Sequence, residues 1–460
     1  MMKNLDSFFF PKTVAVIGAS EQKESVGRAV FENFLLGGLK NKTFPVNPNH
    51  TRVLGKKSYK SVKEIPRQID LALIVVPAKF VPQVLLECTQ KKVKAVIIIS
   101  AGFSEIGEKT LTQEVAQIIG QNPGTRVVGP NCFGVLCTKN NMNTTFSAAA
   151  KTGMPKKGTV AFLSQSGALG VAILDWMSTQ EFGLSKFVSY GNAMDIDEAD
   201  LLEYFSSDPD TKIITAYIEG VKEGKKFMQI AKKTSLKKPI VVLKGGVHEE
   251  THKATASHTG SLAGRNEVYE SVFAQTGIVQ AQNLQELFTF AKILENEPLP
   301  KGNRVQIITN GGGFGIVSAD QVLSKGLALA KIDSKIKKEL RAAFPQTVTI
   351  SNPLDLVGDA DEKRYSLAIK KALQDKNVDI IMVLILFNTP AIDTNIVQEL
   401  KKIKKTAKKP ILVLSIGSSY TAKRKKELEK ANIITFSYPN VAARALKGLV
   451  DYAEFRKKHN

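Results

Sequence analysis

"TVAFLSQSGALG", residues 159–170, decides the fold. A short apolar run, Val160 to Leu163, ends in Ser164, and the chain then passes through Gln165, Ser166 and Gly167 into a helical pattern. Near-continuous apolar runs mark strands buried on both faces of a parallel sheet. Small and hydroxyl residues directly after such a strand allow a tight turn into a helix, whose free N–H groups and dipole favour an anion. The same order of features recurs in "TVAVIGAS" (13–20) and "RVQIITNGGGFG" (304–315), with about 145 residues between successive copies. That spacing fits three domains better than a short-period solenoid.

Working outward, each copy opens a series of strands alternating with helical stretches. The first series reads "TVAVIG", "FPVNP", "LALIVVPA", "KAVIIIS" and "RVVGP"; the second "TVAFLS", "KFVSYG", "IITAYIEG" and "PIVVLKGG"; the third "RVQIIT", "LALAKI", "IIMVLIL" and "PILVLS". Alternation of this kind builds βαβ units. The joins "AAAKTGMPKKG" (148–158) and "ENEPLPKGN" (295–303) are rich in Pro, Gly and charge. The expected fold class is α/β, with three doubly wound parallel-sheet domains at 1–147, 148–298 and 299–460.

Composition narrows the function. The 460 residues are 43% hydrophobic and 23% charged, within the ordinary globular range. No apolar run reaches the length of a membrane span, and "MMKNLDSFFFPKTVAVIGAS" resembles neither a signal nor a transit peptide, so no membrane contact and a cytoplasmic location are expected. Three cysteines without CxxC or Cys/His spacing give no disulfide framework and no metal site. The net charge of +21 is spread along the chain. Its densest runs, "KKIKKTAKKP" (401–410) and "AKRKKELEK" (422–430), read as solvated helix faces without interleaved aromatics. No nucleic-acid partner is expected, whereas phosphate, nucleotides or coenzyme A benefit from the same field.

The loops carry the chemistry. "GASEQKESVGRAV" lacks G-x-G-x-x-G spacing, and "FPVNPNH" offers Asn47 where a dinucleotide site needs an acid. A ligand bearing a nucleotide phosphate and a plain tight turn both remain open there. "SQSG" (Ser164, Gln165, Ser166, Gly167) and "NGGGFG" (Asn310, Gly311, Gly312, Gly313, then Phe-Gly) offer bare backbone N–H groups to phosphate. "SNPLDLVGDA" (351–360) reads as an ordered loop at a sheet edge or an Asx-type turn before a helix. His248 and His252 have i, i+4 spacing, but no third ligand and no clear helical face accompany them, so they read as solvent-exposed loop residues. His258, in "TASHTGSLAG" (255–264), is surrounded by small residues. It is either an incidental loop histidine or a nucleophile that carries a phosphoryl group. A nucleophile needs a carboxylate to orient it, and Glu219 at the end of "IITAYIEGV" is the candidate, or else only an acid near a helix entry.

Taken together, these motifs resemble the alpha subunits of nucleoside-diphosphate-forming acyl-CoA synthetases, especially archaeal ADP-forming acetyl-CoA synthetase, and more distantly succinyl-CoA synthetase. "VAVIGAS…VGRAVFENFL", "FPVNPNH", "IVVPAK", "ISAGFSEIGE" and "RVVGPNCFGV" resemble a Rossmann-like CoA-binding domain. "FLSQSGALG", "SYGNAMDIDEADLLEYFSSDP", "YIEG" and "TASHTGSLAG" resemble the ligase domain with the phosphorylated histidine. "ITNGGGFGIVSAD" and "ISNPLDLVG" resemble a further ligase domain; both ligase domains are then expected to be flavodoxin-like. "NPNH" departs from the Asn-Pro-Lys usual at the CoA edge.

The resemblance implies reversible conversion of acyl-CoA, ADP and phosphate to acid, ATP and CoA, through an acyl phosphate and a phosphohistidine. His258 would be the nucleophile and Glu219 its orienting acid. The SQSG and NGGGFG helix starts would cradle phosphate, as phosphoryl transfer requires. Coenzyme A, the substrate, would lie along Gly18, Ser20, Asn47, Pro77, Gly102 and Asn131. No segment resembles an ATP-grasp domain. A separate beta subunit holding Mg2+ with ADP or ATP, in an alpha2beta2 heterotetramer, is therefore expected. Rival readings are another acyl group (branched, aromatic or succinyl) or a non-catalytic CoA-binding or acyl-CoA-sensing protein.

Overall fold

The structure, a computed structural model, describes residues 5–147, 153–179, 183–248, 250–251 and 265–459. The chain divides into two compact units, Met1–Gln282 and Asn283–Asn460.

The first unit holds two large sheets. In one, the parallel strands run Thr43–Val46, Val14–Ile17, Leu71–Ile74, Ala95–Ile98 and Arg126–Val128 across the sheet. In the other, the parallel strands run Leu184–Ser189, Lys157–Ser164, Ile213–Ile218, Ile240–Lys244 and Val279–Ala281. Two further strands, Gly134–Cys137 and Met142–Asn143, extend this second sheet antiparallel beside Leu184–Ser189. The second unit repeats the plan with Ala328–Leu329, Arg304–Thr309, Ile380–Leu384, Ile411–Leu414 and Ile434–Phe436, all parallel.

Numbered within each fold, all three sheets have the order 2-1-3-4-5. The order reverses between the first and third strands, and ligands in such sheets bind in the crevice beyond that reversal. SQSG, NGGGFG and GAS each follow the first strand of their sheet, so all three loops stand at reversal points.

One buried core runs through both sheets of the first unit. It includes Val14, Val16, Leu71 and Leu73 from one sheet and Ala161, Leu163, Ile214 and Ile218 from the other. Residues 192–196 lie along the end of strand Arg126–Val128, where the N–H groups of Asn192, Met194 and Ile196 donate to the carbonyls of Pro130, Gly129 and Val127. Arg126 pairs with Asp195 at 2.9 Å in the same place. These contacts, with the shared core, join the first two sheets.

The sequence leaves several short strands unread. Val279–Ala281 and Ile434–Phe436 have three residues each, and Leu354–Asp355 has two. In "SNPLDL", Leu354–Asp355 pairs in parallel with strand Arg304–Thr309. Asn352 stitches the sheet together, donating to the carbonyls of Val305 (2.7 Å) and Ala330 (3.0 Å) and accepting from the Ile307 N–H (3.0 Å). In the lysine-rich helix Asn395–Thr406, Ile396, Val397, Leu400 and Ile403 face inward while Lys402 and Lys405 are exposed. Lys404 instead turns to the buried Glu297. Among the described residues no helix is long and apolar enough to cross a membrane.

Candidate functional site

At the reversal point of the second sheet, three successive residues build the site. Ser164 ends its strand fully buried, and its hydroxyl donates to the Ser166 carbonyl at 2.6 Å, bracing the turn. The Gln165 N–H continues the sheet to the Tyr217 carbonyl. Its side chain crosses the crevice, where Oε1 accepts the N–H groups of Glu219 (2.7 Å) and Gly220 (3.1 Å). Ser166 caps helix Gly167–Ser178 by accepting the Leu169 N–H. The N–H groups of Gly167 and Ala168 have no hydrogen-bond partner among the described residues. Those donors and the helix dipole therefore favour an anion at this helix start.

Glu219 is 8% exposed. The Tyr217 hydroxyl is hydrogen-bonded to its carboxylate, and burial together with that negative charge raises the Tyr217 pKa. The buried Lys244 lies 4.7 Å from the centre of the Tyr269 ring. Burial lowers the Lys244 ammonium to about 8, although the charge of Glu219 works in the opposite direction. Tyr269 in turn accepts the Val221 N–H at 3.1 Å. Glu219 is thus held at its backbone by Gln165 and faced by a hydroxyl, a geometry able to orient a donor placed in the crevice. His258, its expected partner, lies outside the described residues, as does His252.

A cavity of about 910 Å³ opens at this point. Val75, Val76, Pro77, Phe133 and Val171 form apolar wall, while Asn131, Gln165, Ser166, Gly167, Asn192 and Glu219 bring polar atoms to it. It therefore joins expected CoA residues (Pro77, Asn131), expected phosphate residues (Gln165, Ser166, Gly167) and the expected acid in one space. Cys132 also lines it, but burial pushes the thiol up to about 12, so it is no thiolate nucleophile.

The other expected CoA residues shape the loops behind this cavity. Gly18 has φ +95°, and a Cβ there would lie 2.3 Å from the Val75 carbonyl oxygen, so no other residue fits without moving that strand end. Ser20 accepts the Gln22 N–H at 3.0 Å. Asn47 ties the first loop down by donating to the Ala19 carbonyl (2.9 Å) and accepting the Asn49 N–H. Gly102 donates to Glu105 at 2.5 Å. Ser164 is likewise absent from the cavity wall, because its hydroxyl is used within the turn.

The expected phosphate residues Asn310, Gly311, Gly312 and Gly313 stand in the second unit. Thr309 braces this turn, with its hydroxyl donating to the Gly311 carbonyl. Asn310 reaches across the reversal point, accepting the Leu386 N–H (2.9 Å) and donating to Thr389 (3.1 Å). Gly311 heads helix Gly312–Ser324 without a side-chain cap.

Two residues outside the expected set bear on the cavity. Asn192 is 3% exposed and donates from Nδ2 to Glu105 at 2.6 Å, while its Oδ1 accepts from Asn131 at 3.3 Å. They belong to "GFSEIGE" and "YGNAMD", far apart in sequence. An acid and two amides in different loops give no periodic signal that would have linked them.

Comparison with known proteins bears on these observations. Residues 12–138 match the model of a CoA binding domain, 157–294 that of a succinyl-CoA ligase-like flavodoxin domain, and 305–456 that of a Ligase-CoA domain. The chain is 43% identical to subunit alpha of ADP-forming acetate–CoA ligase II of Pyrococcus furiosus, with 98% of both chains covered. The chain belongs to the family of ADP-forming acetate–CoA ligase alpha subunits. An ADP-forming acetate–CoA ligase I of Archaeoglobus fulgidus is 38% identical over 99% of this chain, which spans 64% of that longer protein. Among solved structures, the dinucleotide-forming acetyl-coenzyme A synthetase 1 of Ca. Korarchaeum cryptofilum in complex with phosphate and ADP superimposes with a TM-score of 0.90. It is 35% identical and covers 99% of this chain and 98% of its own. The chain is thus an acid–thiol ligase family member, and its α/β fold is shared by that solved acetyl-coenzyme A synthetase.

Proposed function

We propose that the chain is the acyl-handling subunit of an ADP-forming acetyl-CoA synthetase, converting acetyl-CoA, ADP and phosphate reversibly to acetate, ATP and CoA. The observation that carries this reading is the cavity in which Gln165 holds Glu219 beside the open helix start at Gly167, next to Pro77 and Asn131. Full-length likeness to acetate–CoA ligase alpha subunits supports the choice of acyl group.

Phosphate, held by the N–H groups of Gly167 and Ala168, attacks the thioester carbonyl. The C–S bond breaks, CoA leaves as its thiolate, and acetyl phosphate remains. An imidazole nitrogen of His258 then attacks phosphorus, and acetate departs with the electrons of the broken O–P bond. Glu219 accepts the other imidazole N–H, fixing the tautomer and stabilising the ring as positive charge develops on it. In this reading the apolar wall of Val75, Val76, Pro77 and Phe133 takes the arm of CoA, with Gly18, Ser20, Asn47 and Gly102 shaping the loops around it. The helix start at Asn310, Gly311, Gly312 and Gly313 is a second phosphate-binding element.

ATP formation falls to a partner. The A. fulgidus relative bears no subunit designation, and the part of it that this chain does not span is where the nucleotide machinery is expected. We assign that role here to a separate beta subunit with an ATP-grasp domain, in an alpha2beta2 assembly in the cytoplasm. Mg2+ belongs with ADP or ATP on that subunit; among the described residues of this chain no three metal-ligating side chains cluster.

Incubating the chain with acetyl-CoA and labelled phosphate tests the reading. Acid-labile, base-stable label is expected on the wild type and not on His258→Ala, and adding the partner with ADP should move the label into ATP. An unlabelled wild type, or a His258→Ala chain that labels equally, would sink it. A panel of acyl-CoAs in the same assay ranks acetyl against larger groups.

A further inference from the structure

Glu105 is held in one orientation by its own loop. Its Oε1 accepts the N–H groups of Gly102 (2.5 Å) and Phe103 (3.2 Å), leaving Oε2 for Asn192 at 2.6 Å. Burial acts to raise this carboxyl, but the hydrogen bonds it accepts, from Gly102, Asn192, its own N–H and Phe103, together outweigh it and leave it below its ordinary range. An ionised carboxylate only accepts. The atom that Asn192 presents to it must therefore be Nδ2, which turns Asn192 Oδ1 toward Asn131. Asn131 must in turn present its own Nδ2, at 3.3 Å.

The backbone of Asn192 is equally constrained. Its N–H donates to the Pro130 carbonyl at 2.9 Å, and its carbonyl accepts the Lys222 ammonium at 2.7 Å. Asn131 is fixed by its N–H to the Ser100 carbonyl and by a left-handed φ of +56°. Both asparagines line the cavity. One carboxylate thus decides the direction of two successive carboxamides at a largely apolar wall.

We infer that Glu105 and Asn192 are positioning residues for acyl-CoA: they fix which way the Asn131 amide faces, so that it pairs in one sense with an amide or the thioester carbonyl of the CoA arm. This inference rests on the proposed synthetase reading. It adds two residues from separate loops to the acyl-CoA side of the reaction and none to the nucleotide side.

Glu105→Gln tests it sharply. The new glutamine must keep its oxygen on the Gly102 and Phe103 N–H groups, so its NH2 faces Asn192. Asn192 then has to reverse to accept, and Asn131 reverses after it. Combining Glu105→Gln with Asn192→Asp restores Asn131, because the new aspartate accepts from both sides. The assay is labelling of the chain by two routes: from acetyl-CoA with labelled phosphate, and from labelled ATP through the partner subunit.

For Glu105→Gln, the acetyl-CoA concentration giving half-maximal labelling should rise about tenfold or more, the size expected when the Asn131 amide meets the CoA arm in the wrong sense and leaves a buried polar group unpaired. Labelling from ATP should stay within about twofold, and the double variant should recover much of the acetyl-CoA response. A Glu105→Gln chain with unchanged half-saturation overturns the inference. So does one that loses both routes equally, or a double variant no better than the single. If the wild type fails to label from acetyl-CoA, the synthetase reading itself falls; a labelling wild type with an indifferent Glu105→Gln removes only the positioning role.

Discussion

The helix starts at SQSG and NGGGFG share one skeleton. In each, a hydroxyl at the strand end braces the turn: Ser164 onto the Ser166 carbonyl, Thr309 onto the Gly311 carbonyl. In each, the next residue is an amide that crosses to the loop after the third strand, Gln165 to Glu219 and Asn310 to Leu386. The difference lies in what is held. Gln165 fixes a buried acid, whereas Asn310 fixes the backbone of an apolar residue, and the acid near the second helix start is Asp355 from another strand. The shared fold supplies two similar anion-favouring helix starts, and the identity of the clamped residue sets the chemistry of each.

Glu219→Gln strikes at that difference and should have the largest effect. Size and much of the hydrogen bonding survive, but the negative charge proposed to stabilise an imidazolium is lost. A fall of about 10²–10⁴-fold in the rate of acetyl-CoA-dependent labelling is expected, with the thermal midpoint nearly unchanged. A rate within threefold of wild type would mean that Glu219 does not serve a histidine.

How much of this was legible in the sequence follows from the same pair. Strands such as Ile213–Ile218 and Ile380–Leu384 are long apolar runs buried on both faces, so their type and order could be read. Glu219 could be singled out because it closes such a run. The role of Gln165 could not, because it depends on a side chain reaching the third strand, 54 residues away. The link from Glu105 to Asn192 spans 87 residues and two loops, and local pattern carries nothing about it. Strand Leu354–Asp355 was hidden for another reason: two residues are too few for any periodicity.

The first unit holds a second buried acid. Glu198, 3% exposed, heads helix Glu198–Ser207. Burial, with Asp197 adding to it, pushes its carboxyl from 4.5 up to about 7, against the pull of Lys222 and Lys226. Because the folded value lies above the unfolded one, this group's contribution is complete below about pH 4.5 and is lost as pH rises through about 7. Raising the pH from 5 to 8 should therefore cost the first unit up to about 3 kcal/mol of stability through this group. Thermal midpoints across that range should fall less steeply in Glu198→Gln. Identical slopes would show that Glu198 is not protonated in the fold.

Removing the crossing amides asks whether the shared skeleton has equal worth in both places. Gln165→Ala leaves the buried Glu219 and Gly220 N–H groups without their acceptor, at a cost of about 1–3 kcal/mol. It should also slow acetyl-CoA-dependent labelling by about tenfold or more, since Glu219 loses its fixed position. Asn310→Ala exposes the half-buried Leu386 N–H and should cost about 1 kcal/mol, with a smaller effect on that rate. Equal losses of rate would mean that what the amide clamps is immaterial, and the contrast between the two helix starts would collapse.

The smallest effect separates the glycines of NGGGFG. A Cβ on Gly312 would lie 2.6 Å from Oδ2 of Asp355, whose other oxygen accepts the Val357 N–H at 3.0 Å. Gly312→Ala must displace that carboxylate, so a loss of about 1–2 kcal/mol is expected. Nothing lies within 4 Å of a Cβ on Gly313, which sits inside helix Gly312–Ser324. There alanine should leave the thermal midpoint unchanged or raise it slightly, because a helix gains up to about 1 kcal/mol when alanine replaces glycine. Packing thus accounts for the absence of a side chain at Gly312 and leaves it unexplained at Gly313. If the second helix start binds phosphate, a methyl group at Gly313 narrows the approach to its N–H groups. The rise in thermal midpoint produced by added phosphate should then be smaller in Gly313→Ala than in wild type. An undiminished rise would mean that the bare backbone at Gly313 serves no anion, and only the first of the two helix starts would keep its phosphate.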